Sequence, residues 1–268
     1  GVTSLSVKNL NDCTLTIPTR VVELCMLHSM KKEVSISGTE NLTKLNVLND
    51  NIRITPCRKL QELELHVQRL SKKTLTFSIS TLTMLSKMRV EVGTISPDFR
   101  FPTQLTSLCI EVKDQSVDID LLTQLTRLQE LVIGVHKDED PPDLSGLTTV
   151  TKLSSEQMPG RLLPTSLVEY TTVLGLDTDL SPLTNLTSLL LFLDWDVHVT
   201  FPTGLKKLEL IQGALANTNI SDVALESFEL GCQETLTMDS LKLLPKTLKT
   251  INGLFEPESL EDHLNELF

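Results

Sequence analysis

Aliphatic residues recur along this chain in a short phrase whose first, fourth and sixth positions are apolar. The phrase begins at residues 2, 21, 42, 60, 85, 105, 128, 150, 167, 186, 205, 225 and 248, a mean spacing of 20.5 residues. Its clearest copies are Leu60–Leu65, Leu105–Ile110, Leu128–Ile133, Leu186–Leu191 and Leu205–Leu210. The alternation within the phrase predicts a short strand with one buried face, and the even spacing predicts a solenoid with one coil per copy.

Two kinds of segment lead into the phrase. One kind carries a proline three residues before the phrase begins: Pro18, Pro102, Pro164, Pro202 and Pro245. Because proline fixes φ and has no N–H, these segments are predicted to be extended or polyproline-like. The other kind steps apolar residues every three positions, as in Leu144, Leu147 and Val150. That period favours 3-10 turns.

On these features, residues 2 to about 255 resemble the leucine-rich-repeat superfamily. The resemblance implies an α/β repeat fold: a curved solenoid with a parallel β-sheet on its concave face and 3-10 or extended segments on its convex side. The stepped lead-ins resemble those of internalins, and the proline-threonine lead-ins are similar to short repeats of bacterial and protist proteins. The family usually carries asparagine eight residues after the phrase begins, and no copy here does so. An irregular turn is therefore predicted at that slot.

The ends of a solenoid need covering, because they would otherwise expose its core. Pro257 can open a helix, and Leu260, Leu264, Leu267 and Phe268 recur after it at helical spacing. We therefore predict one domain, with a solenoid of about 13 repeats over residues 1–256 and a C-terminal helical cap over 257–268. No comparable cap precedes the first copy, which favours a longer natural chain; pairing with another chain is the alternative.

Charge and cysteine content narrow the classes of partner and compartment. With 24 basic and 35 acidic residues the net charge is −11, which disfavours nucleic acid and anionic membranes as partners. No apolar run approaches the roughly 18 residues needed to cross a bilayer. Five cysteines without CxxC spacing favour a reducing compartment, so the localisation expected is cytoplasmic. Three N-glycosylation sequons, at Asn41, Asn185 and Asn219, keep a secreted or cell-surface location as the alternative.

The third, fifth and seventh positions of each phrase are predicted to face outward on the concave sheet. In the N-terminal half these positions are mostly charged, which favours a solvated face. In the C-terminal half they become apolar in consecutive repeats, at Val173, Leu190, Phe192 and Ile211, and Trp195 lies just beyond its strand. We predict a partner-binding surface formed by these five residues. The alternative is a different register, because the run 189–193 can also be threaded with Phe192 inward.

The sequence offers no motif for catalysis or for a cofactor. It contains no phosphate-binding glycine loop, no GxSxG and no HExxH, so an enzyme is not expected and no catalytic, cofactor or metal residues are assigned. Acidic residues gather after several strands, and calcium binding there is an alternative to simple solvation: Asp138, Glu139, Asp140, Asp143, Asp177, Asp179, Asp194 and Asp196. Solvation is favoured, because no EF-hand spacing accompanies these carboxylates.

These observations favour a scaffold for protein–protein recognition that binds a macromolecular partner, expected to be a protein, through its concave face and belongs to a larger intracellular chain. The alternative is a secreted or surface repeat protein that binds a host or matrix glycoprotein or a glycan. Self-association through the uncapped N-terminal coil is a third hypothesis.

Overall fold

A computed structural model describes most of the chain: residues 2–8, 14–27, 34–48, 52–54, 57–70, 82–113, 117–134, 141–156, 158–193, 197–212, 215–231, 235–236 and 242–255. The chain divides into two compact units, Gly1–Pro142 and Asp143–Phe268, called unit 1 and unit 2 below. Within each unit, successive coils add one strand each to a parallel sheet, so the sequence phrase is also the structural repeat.

The main sheet of unit 1 contains seven parallel strands in chain order. They are β1 (Ser4–Lys8), β3 (Glu23–Leu27), β5 (Lys44–Val47), β7 (Glu62–Leu70), β8 (Lys87–Ile95), β9 (Ser107–Val112) and β10 (Glu130–Gly134). A smaller parallel sheet contains β2 (Thr14–Thr16), β4 (Val34–Ser37) and β6 (Ile52–Ile54). The short helix α1 (Ile119–Thr123) begins at Asp118, whose carboxylate accepts the N–H of Asp120.

The main sheet of unit 2 contains six parallel strands, again in chain order. They are β11 (Lys152–Glu156), β12 (Glu169–Leu174), β14 (Ser188–Leu193), β16 (Lys207–Gln212), β17 (Ser227–Leu230) and β19 (Thr250–Asn252). Two short parallel pairs accompany it: β13 (Thr178–Asp179) with β15 (Val199–Thr200), and β18 (Thr235–Leu236) with β20 (Leu254–Phe255). Single 3-10 turns occupy Gly160–Leu162, Leu215–Asn217 and Ile220–Asp222.

The repeat phrase builds the core of both units. Every main-sheet strand begins two residues after the start of a phrase, and twelve of the thirteen phrase starts are at most 8% exposed. Leu131 lies beside Leu108 where β10 pairs with β9, and Leu189 lies beside Leu208 where β14 pairs with β16. All four leucines are buried. The predicted parallel-sheet solenoid is therefore confirmed.

Both kinds of lead-in close with the same turn. The N–H of the first phrase residue bonds to the carbonyl three residues earlier, as Leu105 does to Pro102 at 3.2 Å. In the stepped kind the bond repeats, from Leu147 to Leu144 and from Val150 to Leu147. The predicted period-three turns are confirmed. The proline segments are not extended throughout, because proline lacks an N–H but keeps a carbonyl that accepts this turn bond.

The prediction of an irregular turn eight residues after the phrase start is wrong in one pair of coils. Strands β7 and β8 continue through this slot, at Gln68 and Gly93, and remain paired as far as Leu70 and Ile95. In eight other coils the slot residue lies outside the described residues: Leu10, Ser29, Asp50, His136, Asp194, Gly213, Gln233 and Glu256.

Inter-coil polar bonds form instead where each strand begins. The second residue of a phrase bonds to the carbonyl of the equivalent residue one coil earlier: the N–H of Thr43 donates to Val22 at 2.8 Å, and its hydroxyl donates to the same oxygen at 3.2 Å. Thr187 repeats both bonds to Val168. The threonine hydroxyls thereby give these two carbonyls a second hydrogen bond between coils.

The predicted helical cap over residues 257–268 lies outside the described residues. Among the residues that are described, no helix is long and apolar enough to span a membrane.

Candidate functional site

The outward face of the unit 2 sheet carries contiguous apolar side chains. Val173 on β12 is 41% exposed and pairs directly with Phe192 on β14, which is 38% exposed. Leu190, two residues before Phe192 on the same face, is half-buried. Neighbouring strands lie roughly 4.8 Å apart, so the three side chains form one surface, called the apolar patch below.

The alternative threading of the run 189–193 is wrong. Leu189, Leu191 and Leu193 are buried, whereas Phe192 is exposed. Alternation along the strand places the leucines between the sheet and the interior of the coil. Phe192 therefore faces solvent, as the period of the repeat phrase predicts.

The two other residues predicted for this surface are Ile211 and Trp195. The register between β14 and β16 shifts after Leu191, so that Phe192 pairs with Gln212 and Ile211 becomes the extra residue of a bulge. Ile211 is half-buried. Sequence spacing assumes an unbroken register, so it misses this displacement. Trp195 lies outside the described residues.

Acidic side chains lie on both sides of the apolar patch. On one side Glu156 of β11 pairs in register with Val173. On the other side the row of Leu190 continues to Glu209 on β16 and then to Glu229 on β17. The Lys207 ammonium lies 3.9 Å from the Glu209 carboxylate. Within the described ranges, Glu156 and Glu229 have no ion-pair partner.

The charge of the chain is divided unequally between the units. Unit 2 contains 18 of the 35 acidic residues and 7 of the 24 basic residues. Unit 1 contains 17 of each, so its formal charge is zero and the whole net charge of −11 belongs to unit 2. The sheet that carries the apolar patch therefore lies in a strongly negative unit.

The outward face of unit 1 differs because its central charges compensate one another. The carboxylate of Glu62 lies 3.2 Å from Lys44 and 3.7 Å from Lys87. The carboxylate of Glu91 lies 2.6 Å from the Lys113 ammonium and 2.8 Å from His66 Nδ1. These two contacts, with Lys113 the stronger, lower the pKa of Glu91. This arrangement agrees with the predicted solvated face.

In the described acidic loops, aspartate carboxylates accept hydrogen bonds from backbone N–H groups. Each of three aspartates accepts a backbone N–H: Asp143 from Ser145 at 3.0 Å, Asp177 from His198 at 2.8 Å and Asp179 from Ser181 at 2.9 Å. Five other loop residues lie outside the described residues: Asp138, Glu139, Asp140, Asp194 and Asp196. In the described part of the chain, no three or more His, Cys, Asp or Glu side chains are arranged to hold a metal ion.

Two cysteines of the outward face of unit 1, Cys25 and Cys109, are half-buried. Burial raises the pKa of the Cys109 thiol, and the pKa of the buried Cys57 thiol is raised for the same reason. Both thiols are therefore protonated at neutral pH, a form that is weakly nucleophilic.

The three sequon asparagines make inter-coil hydrogen bonds that the sequence analysis did not anticipate. The amide nitrogen of Asn41 donates to the Thr19 carbonyl at 2.8 Å. Asn185 makes the equivalent bond to Thr165 at 3.0 Å. Asn219 accepts the N–H of Phe201 at 2.7 Å and donates to its carbonyl at 3.2 Å. The recurrence of Asn-Leu-Thr thus has a structural role in joining coils.

A polar group inside the core of unit 2 was also missed. Tyr170 takes the place of the leucine in its phrase and is 1% exposed, and its hydroxyl lies 3.1 Å from that of Ser155. Ser155 and Thr172 are also buried. The signal in the sequence was the replacement of aliphatic residues by hydroxyl-bearing ones in two successive copies of the phrase.

Comparison with known proteins gives only distant likenesses. No family model and no curated protein matches the sequence. An internalin of Listeria monocytogenes is 19% identical, with 86% of this chain and 82% of that chain covered and a TM-score of 0.47. A leucine-rich-repeat protein of Leptospira interrogans is 16% identical, with 95% and 79% covered and a TM-score of 0.37. The fold of this chain is established by the register and burial of its own strands.

Proposed function

We propose that this leucine-rich-repeat chain is a protein-recognition module that binds a partner protein through the apolar patch of unit 2. The observation that supports this most directly is the pairing of Val173 with Phe192, two exposed apolar side chains in register on adjacent strands, with Leu190 beside them. Contiguous apolar surface on a sheet face is typical of interfaces, and aromatic side chains are enriched at their centres.

The proposal favours unit 2 over unit 1 because of what surrounds each apolar side chain. In unit 1 Val132 is 43% exposed, but its partner in register on β9 is Cys109, and no second large exposed apolar residue adjoins it in that pairing. Single exposed apolar residues are ordinary on protein surfaces. Val173 and Phe192 form a pair, which a partner can cover in one contact.

We propose a non-catalytic role in the cytoplasm, with the secreted glycoprotein-binding role as the alternative. The inter-coil bonds of Asn41, Asn185 and Asn219 support the cytoplasmic role, because they give the sequons a structural reason to recur. Intact-mass measurement of native material tests the location. Glycans on any of the three asparagines would favour the secreted alternative.

The binding proposal is tested by placing aspartate in the apolar patch and, as a control, at a matched valine of unit 1. Immobilised chain captures proteins from native extract, and each captured protein is purified and its Kd measured directly by calorimetry. We expect Val173→Asp and Phe192→Asp to weaken a true partner by about ten-fold or more, because each places a charge inside the interface. Val132→Asp introduces the same charge at an equally exposed valine of unit 1 and should leave Kd unchanged. Equal Kd values for all three variants and wild type would contradict the proposal.

A further inference from the structure

The apolar patch lies between two carboxylates, Glu156 and Glu229, for which the described residues supply no ion-pair partner. Glu156 lies one strand from Val173, and Glu229 lies two strands from Leu190 on the opposite side. From β11 to β17 there are four steps between neighbouring strands, so the strands that carry the two carboxylates are about 19 Å apart across the sheet. Among the described residues neither carboxylate has an ion-pair partner, in contrast to Glu62 and Glu91 of unit 1.

One side of the patch also holds two like charges face to face. Glu209 and Glu229 are directly paired in register on β16 and β17. Like charges opposite one another on a sheet repel, and Lys207, at 3.9 Å from Glu209, is the cation within ion-pair distance in the described structure. A cation supplied by a partner would relieve this repulsion, and a neutral or acidic partner would not.

We infer that the segment bound by the apolar patch has apolar side chains at its centre and lysine or arginine on both sides of them. This inference rests on the proposed function and adds the chemistry of the partner. The apolar centre covers Val173, Leu190 and Phe192, and the flanking cations reach Glu156 at one end and the Glu209–Glu229 pair at the other. The charge of −11 carried by unit 2 attracts such a segment from a distance.

Synthetic peptides test this directly. Three labelled peptides share a Phe-Leu centre and carry lysine and arginine, glutamine, or glutamate on both sides, with the flanking groups about 19 Å apart, or about six residues of extended chain. Fluorescence anisotropy at low and moderate salt gives Kd for each peptide with the full chain. We expect the basic-flanked peptide to bind at least ten-fold more tightly than the glutamine-flanked one at low salt, with the difference shrinking as salt rises.

Variants of the chain identify the charges responsible. Glu156→Gln with Glu229→Gln should remove most of the preference for the basic peptide, and Glu156→Lys with Glu229→Lys should transfer it to the glutamate-flanked peptide. Glu111→Gln is the matched control, because Glu111 is exposed on the outward face of unit 1 without a described ion pair, and it should change nothing.

The outcomes separate this inference from the function on which it rests. Equal binding of the basic and glutamine-flanked peptides, both lost with Val173→Asp, would overturn the inference and leave the patch as a binding surface. Binding of the basic peptide that survives Val173→Asp and Phe192→Asp would show charge attraction alone and overturn the inference. If none of the peptides shows saturable binding, the inference is also overturned. The proposed function is then still tested by the Kd of the captured partner protein.

Discussion

At the scale of single residues, polar and charged side chains on the outward face of unit 1 contact one another between neighbouring coils. His66 lies between Glu64 at 3.1 Å and Glu91 at 2.8 Å, and Glu91 continues to Lys113 on the next coil. Glu64 also accepts the Asn46 amide at 2.6 Å. Each such contact is weak by itself because water reaches it, so the face is stabilised by the connection of several contacts.

The Glu91 carboxylate gives this network a pH dependence. Because its pKa is lowered in the folded chain, its contribution is fully present above its ordinary value of 4.5 and is lost as the pH falls through the lowered folded value. We expect Glu91→Gln to reduce the free energy of unfolding by about 1 kcal/mol at pH 7 and by less at acidic pH, where the carboxylate becomes protonated. Urea denaturation at both pH values measures this. Glu130→Gln serves as control, because Glu130 is exposed on the same face and pairs in register with the uncharged Ser107. An equal loss at both pH values would contradict the prediction.

At the scale of strands, the repeat phrase tolerates exchange of its core residues if the polar atoms find partners. In β11 and β12 two consecutive coils replace aliphatic residues with Ser155, Tyr170 and Thr172, all buried. Burial raises the pKa of Tyr170, and the hydroxyls of Ser155 and Thr172 oppose that rise only partly by hydrogen bonding. The pair of strands is thus fixed to each other by a specific polar contact as well as by apolar packing.

Removing the Tyr170 hydroxyl should show how much this contact contributes. Tyr170→Phe leaves the Ser155 hydroxyl buried without its phenol partner, and we expect a loss of about 1–2 kcal/mol in the free energy of unfolding. Ser155→Ala and the double variant complete a thermodynamic cycle in the same denaturation assay. The double variant should lose less than the sum of the two single ones. Strict additivity would show that the two hydroxyls do not interact.

At the scale of the whole molecule, the two units share one architecture but differ in charge. Unit 1 is formally neutral, whereas unit 2 carries the entire charge of −11. Self-repulsion weakens a compact state, and dissolved salt screens it over about 8–10 Å at physiological concentrations. Unit 2 is therefore subject to a self-repulsion that the formally neutral unit 1 lacks.

Salt should consequently affect the two units differently. Raising sodium chloride from about 20 mM to about 500 mM should slow amide hydrogen exchange in unit 2, where it screens repulsion, and should leave exchange in unit 1 unchanged or faster, where it weakens ion pairs. Exchange measured by mass spectrometry on peptides from each unit provides the test. An equal slowing in both units would indicate a general effect of salt on apolar burial instead.

The sequence by itself determined the positions of the main-sheet strands and the burial of twelve of the thirteen phrase starts, but it left two threadings open for the run 189–193. It did so because a strand has a period of two and the coil repeats at an even spacing, so local pattern assigns a residue to a face wherever apolar and polar positions alternate clearly. The turn at the end of each stepped lead-in followed from its period of three for the same reason.

Only the tertiary structure decided which side chains meet across coils. The bulge that displaces Ile211 and the joining of coils by Asn41, Asn185 and Asn219 both depend on contacts between segments about 20 residues apart. Phrase position pairs equivalent residues of neighbouring coils, as it does Glu209 with Glu229, but it does not show where a bulge shifts that register or which loop side chain bonds to the next coil. The fold was therefore readable from the phrase, whereas the chemistry of the binding surface required the stacked coils.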